Sequence, residues 1–182
     1  MKFQVAVSGE IESVSFVDSV TRCSCYFQIT FSQNAAWGQT SGELTGRSPV
    51  CNNSSNDFVW NVPIFCTMTS TTPAGWPRIV LRVTVADWRG REVVYGYGLL
   101  QVPTLPGRHT RRVPLVAPSS SSWWALISGW ILGSRPAIAD PSEFFSDNNK
   151  SQAVTMRPTG AEATVNLTVA IKDSDKLNFK FC

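Results

Sequence analysis

The sequence predicts an all-β fold, a sandwich or a barrel, with one short helix. Three observations predict it. Apolar residues recur at every second position through most of the chain, Pro/Gly turns punctuate those runs, and a helical period shows only at 120–133. The first strand carries Phe3, Val5 and Val7 on one side and Lys2, Gln4 and Ser8 on the other. In the second, Cys23, Cys25, Phe27, Ile29 and Phe31 share a face. From 33 to 56 the composition turns to Gly, Ser, Asn and Gln, which reads as a long polar loop with no core of its own.

Strand pattern resumes at Phe58 and runs through Trp60 to Ser70. Pro63 inside it implies an edge position or a bulge, because proline has no N–H for the ladder. A turn at 72–77 precedes Ile79, Leu81, Val83 and Val85, with Arg78, Arg82 and Thr84 facing the opposite way. A second turn at 87–91 returns into a strand from Glu92 to Val102. After a turn at 103–107 a short strand runs from Arg111 to Val116, interrupted at Pro114. The final strand, Glu162 to Lys172, turns Val165, Leu167, Val169 and Ile171 inward. Ser120 to Gly133 reads as the one helix, with a serine N-cap and a Gly133/Pro136 stop. At this length it is too short for a bilayer, which needs roughly 20 residues.

The 182 residues, 43% hydrophobic and 16% charged, fit one folded domain over 1–182. A net charge of +3 is too small to imply nucleic acid, and no aromatic-plus-basic reading motif appears. Met1 to Val5 already reads as strand rather than signal peptide, and five cysteines without an export signal favour reduced thiols in cytosol. The sequons at Asn52, Asn53, Asn149 and Asn166 then read as chance.

An ordered set of motifs occupies the middle of the chain. It runs Val59-Trp60-Asn61-Val62-Pro63-Ile64, Gly75-Trp76-Pro77-Arg78-Ile79-Val80-Leu81, Gly96-Tyr97-Gly98, Val102-Pro103, Pro106-Gly107-Arg108-His109, Gly133-Ser134-Arg135-Pro136 and Asp140-Pro141. This set resembles the B9 domain family of ciliary transition-zone proteins, densely from 58 to 141 and weakly to both ends. The resemblance implies a Greek-key antiparallel sandwich of C-two type. It also implies a role beside other B9-domain proteins in the Meckel syndrome (tectonic-like) complex at the cilium base, with peripheral contact to the ciliary membrane. Loop 33–56 departs from the family pattern.

The residues themselves offer little chemistry. Ca²⁺ needs six to eight oxygens, whereas Asp87 stands beside Arg89 and Arg91, and Asp173 and Asp175 are flanked by Lys172 and Lys176. Cys23-x-Cys25 lacks the second pair that zinc would need, and reads as buried thiol. His109 is the only histidine, and its cationic neighbours Arg108, Arg111 and Arg112 disfavour a general base. No cofactor, metal or enzymatic activity is expected. Two surfaces remain. Arg78, Arg82, Arg108, Arg111 and Arg112 suit an acidic partner, plain solvent or anionic lipid, in that order. Trp123, Trp124, Ile127, Trp130 and Ile131 make the 120–133 helix apolar on several faces, suited first to capping the sandwich and meeting a partner subunit and second to membrane insertion. The rival to an assembly subunit is then a stand-alone peripheral lipid-binding module that uses the basic stretch and this helix.

Overall fold

The structure, a computed structural model, describes residues 2–32, 35–53, 55–119 and 155–173. Among them are ten strands: β1 (Phe3–Ser15), β2 (Arg22–Thr30), β3 (Gly38–Gly42), β4 (Thr45–Arg47), β5 (Cys51–Asn52), β6 (Asp57–Ser70), β7 (Arg78–Ala86), β8 (Glu92–Gln101), β9 (Gly107–Ser119) and β10 (Thr155–Lys172). Every pairing whose direction is defined over several residues is antiparallel. The lateral order is β3-β6-β1-β10-β9-β8-β7-β2-β4, with β5 beside β2. Non-sequential neighbours such as β6-β1-β10 are what a Greek-key connectivity requires.

A break in the ladder turns this order into two layers. β8 and β9 meet at a single pair, Tyr97 with Val116, so the sheet bends there. One layer holds β3, β6, β1, β10 and β9. The other holds β8, β7, β2, β4 and β5. Period-two alternation then decides what lies between them. Phe3, Val5, Val7 and Ile11 of β1, Trp60 to Met68 at alternate positions of β6, and Ala163 to Val169 at alternate positions of β10 fill one side. Cys25, Phe27 and Ile29 of β2 with Ile79, Leu81 and Val83 of β7 fill the other. The expected antiparallel sandwich is the fold.

Several sequence expectations need correction. Segment 33–56 is not a structureless loop, since it holds β3, β4 and β5. Their side chains are mostly exposed, so no alternation marks them. What ties the segment down is Trp37, which packs on Phe3 edge-on at 5.4 Å, and buried Ser48, whose Oγ accepts the Cys25 N–H at 2.8 Å. The strand placed at 111–116 runs the whole of β9 and is not broken at Pro114, because Pro114 lies opposite the bulge between Pro158 and Glu162 of β10. The helix placed at 120–133 lies outside the described residues.

Candidate functional site

The motif residues were candidate sites, and each has a local physical reason. In β6, Asn61 takes a positive φ of 48°, a left-handed conformation that Asn tolerates better than most residues. It sits where the β1–β6 register slips between Ile11 and Ser13, so Trp60-Asn61 forms a bulge. Trp60 is buried by that bend. Its indole N–H finds no oxygen or nitrogen acceptor and lies beside the Cys23 sulfur, a weak one. Further along, β3 covers β6 only from Cys66 to Thr69, leaving the rest of that edge without a strand partner among the described residues. Phe65 turns its carbonyl outward to the Glu43 N–H (3.0 Å). Pro63 shares its parity, so the missing N–H falls on the open edge. Of the alternatives foreseen for Pro63 the edge holds, whereas the bulge lies at Trp60-Asn61 and Pro63 itself pairs in register with Glu10.

Gly75-Trp76-Pro77 is the corner where three aromatic rings meet. Gly75 has a φ of 67°, and a Cβ there would collide with Ala35 Cβ at 2.5 Å. Trp76 stacks on Phe3 at 6.4 Å and meets Trp37 edge-on at 5.2 Å, while its Nε1 donates to the Val102 carbonyl at 2.8 Å. Val102 returns its own N–H to the Pro77 carbonyl (3.1 Å), which joins two motifs that lie far apart in sequence. In β8, Gly96 and Gly98 face the core. A Cβ on Gly98 would stand 2.9 Å from Val113 Cγ1, and one on Gly96 would stand 3.3 Å from Leu115 Cβ. They are glycines because β9 crosses close over them. Tyr97 points to the opposite face and is fully buried there.

The five arginines do not form one patch. Arg78 and Arg82 lie on the outer face of the β7 layer, where the Arg82 guanidinium sits 5.1 Å over the Tyr26 ring. Arg108 and Arg112 lie on the outer face of β9, in the other layer, opposite Thr168 and Thr164. Arg111 takes the inward parity of Val165, yet is exposed. His109 places Nε2 at 2.9 Å from the Leu105 carbonyl and has no acid beside it among the described residues. Pro106 and Gly107 make the turn into β9 with a Gly107 φ of 129°. Trp123, Trp124, Ile127, Trp130 and Ile131 lie outside the described residues, as does Asp175.

Asp87 is committed to its own turn. Its carboxylate accepts the N–H of Arg89 (2.8 Å) and of Arg91 (2.9 Å), and pairs with the Arg91 guanidinium at 2.9 Å. The Arg91 backbone hydrogen bond, chiefly, holds its pKa below the ordinary value. Burial pushes the Cys25 thiol up to about 12 and Cys23 likewise, with nearby Cys51 adding to the latter. No group of three or more metal-ligating side chains gathers among the described residues. Sequence reasoning passed over Trp88, 83% exposed in this same turn, and over Val59 and Phe65, each 60% exposed on β6. The available signal for the pair was parity, since both alternate with buried Trp60 and Ile64.

Among the described residues, Asn61, Gly75, Trp76, Gly96 and Gly98 serve a bulge, a corner and a close strand crossing of an antiparallel sandwich domain. The chain belongs to the B9 domain family: the family model described as "Ciliary basal body-associated, B9 protein" (B9-C2) matches residues 5–171. It is similar to B9 domain-containing protein 1 of Xenopus laevis, 36% identical over 97% of this chain and 88% of that protein. The human protein of the same name is 34% identical over 97% of this chain and 86% of its own length. B9 domain-containing protein 2 of Xenopus laevis is 32% identical over 71% of this chain and 75% of its own. Among solved structures, a C2-type domain of plant Extended Synaptotagmin 1 matches 90% of this chain and 92% of its own length, at 9% identity and a TM-score of 0.44.

Proposed function

We propose that this chain, one B9 domain over 1–182, is a non-enzymatic assembly subunit on the cytoplasmic side of the ciliary transition zone. It assembles with sister B9 proteins and tectonic-like complex subunits, and serves ciliogenesis and the gate on ciliary membrane proteins. The observation that carries this reading is the family match over residues 5–171, together with similarity to both B9 domain-containing proteins 1 and 2. Burial of the motif residues Trp60, Trp76 and Tyr97 supports a scaffold. The stretch holding Trp123, Trp124, Ile127, Trp130 and Ile131 contains no Lys or Arg, which suits a protein contact better than an in-plane membrane helix with its basic polar face.

A tagged pull-down from ciliated cells, read by mass spectrometry, tests the assembly. Sister B9 subunits should be recovered without lipid, and Trp124→Ser with Trp130→Ser should weaken that recovery, since truncating a hot spot costs about 2 kcal/mol or more. Recovery of no B9 protein overturns the reading. Undiminished recovery with the double variant moves the interface elsewhere.

A further inference from the structure

Two thiols face each other across a strand pair. Cys23 of β2 lies directly opposite Cys51 of β5 in an antiparallel ladder. Opposed Cα atoms in such a ladder stand roughly 4.5–5.5 Å apart, inside the span that a disulfide bridges. Their side chains leave the sheet on the same face, and the Cβ atoms need close by only about 1 Å to be joined. Both sulfurs turn toward neighbouring residues of β6. The Cys51 Sγ donates to the Val59 carbonyl at 3.7 Å, and the Cys23 sulfur lies beside the Trp60 indole N–H. Burial chiefly, and then the charge of a Cys51 thiolate, push the Cys23 pKa up to about 12, so the two sulfurs sit within electrostatic reach.

The other buried thiols are worse placed. Cys25 is two residues along the same strand, roughly 6.6 Å from Cys23 at the far end of disulfide geometry. Its Sγ turns to the Tyr26 carbonyl at 3.8 Å. Cys66 lies on β6 opposite Val7, in the other layer. Access also separates the pair, since Cys51 is half-buried and Cys23 is 1% exposed. β5 is lightly held. Besides its two register pairs it has the Asn53 N–H on the Thr21 carbonyl (3.1 Å) and the Arg22 Nε on Asn52 Oδ1 (2.9 Å). A strand this short opens locally at low cost, and opening uncovers Cys23.

We propose that Cys23 and Cys51 form a redox modification site, in which a hydroperoxide joins them as a reversible disulfide that fastens β5 to β2. Cys51, the accessible thiol, attacks one peroxide oxygen as its thiolate. The O–O bond breaks, the second oxygen leaves as an alcohol or water with the Cys51 proton, and Cys51 becomes a sulfenic acid. The Cys23 sulfur then attacks the Cys51 sulfur. The S–O bond breaks, and hydroxide leaves as water with the Cys23 proton. Two thiols give up two electrons, and one peroxide takes both. Burial keeps Cys23 protonated and so prevents it from reacting first. The bond closes a loop that contains the exposed strands β3 and β4, and thereby ties segment 33–56 to the β2–β7 layer.

The test treats the purified, reduced full chain with hydrogen peroxide and maps its thiols by alkylation and mass spectrometry without reductant. A Cys23–Cys51 bond should appear by tandem fragmentation, with two thiols lost per chain, and dithiothreitol should restore both. Cys25→Ala should form the same bond, whereas Cys51→Ser should keep the Cys23 thiol free. The oxidised parent should melt on the order of 5 °C above the reduced parent, a shift that Cys51→Ser lacks. Mapping the parent itself gives the answer even where a variant folds poorly. A parent that keeps all its thiols, bonds through Cys25, Cys66 or Cys182, or stops at an isolated oxidised Cys51 overturns the proposal. An oxidised parent that melts with the reduced one overturns the fastening of β5. None of these readouts depends on subunit assembly.

Discussion

Tryptophan plays opposite parts at two positions of this chain. Trp76 is buried between Phe3 and Trp37 with its N–H bonded to Val102, whereas Trp88 projects from a turn. Trp76→Ala should therefore cost about 3–5 kcal/mol, from lost burial and the cavity left behind. Trp88→Ala should stay within about 0.5 kcal/mol. Urea denaturation of the two variants beside the parent checks this, and equal destabilisation would refute it. The thiols of Cys23 and Cys25 make a second residue-scale case. Both are raised from 9.0 to about 12 in the fold, so between those values the unfolded chain gives up protons that the folded chain keeps. Stability from these groups is whole below pH 9 and declines as the pH climbs toward 12. Denaturation midpoints should fall over that alkaline range. The slope should flatten in a variant with both cysteines changed to alanine, and an unchanged slope would mean the thiols are not its source.

At the scale of elements, β6 has the most telling design. Its first half lacks a strand partner on one side among the described residues, and open edges invite pairing with another chain. Two devices blunt it, the Asn61 bulge and the donor-less Pro63. Pro63→Thr restores an N–H to that edge beside exposed Val59 and Phe65. Greater self-association than the parent, measured by analytical ultracentrifugation, is the expected result. Identical sedimentation of the two would show that Pro63 does not guard the edge. The same reasoning explains β8, where glycines at 96 and 98 let β9 pass close over the strand.

The whole molecule distributes its charge in a way that the linear order hides. Arg78 and Arg82 go to one outer face and Arg108 and Arg112 to the other, because β7 and β9 belong to different layers. Acids are scattered too, and Asp87, the acid of the β7–β8 turn, uses its oxygens on backbone N–H groups and Arg91. Calcium should therefore leave the melting temperature unmoved at millimolar concentration. A saturated site would add about 1 kcal/mol or more, at least at concentrations several times its dissociation constant. A calcium-dependent rise in scanning calorimetry would show that loops at one end gather ligands after all.

The sequence by itself determined which residues face inward on the long strands. Alternation in β2, β6, β7 and β10 is a local property, and each strand buries one face whatever its neighbours are. It also determined the turns at 72–77 and 87–91, where proline and glycine restrict or free the backbone locally. The motif order carried the family. Segment 33–56 was not legible, because β3, β4 and β5 are short and exposed, held by ladder bonds and by Trp37 rather than by a buried face. Nor could the sequence decide that Gly98 meets Val113, that Trp76 bonds to Val102, or that the five arginines part company. Those facts depend on which strands become neighbours and which layer each joins. Such pairings lie far apart along the chain, so only the tertiary structure sets them.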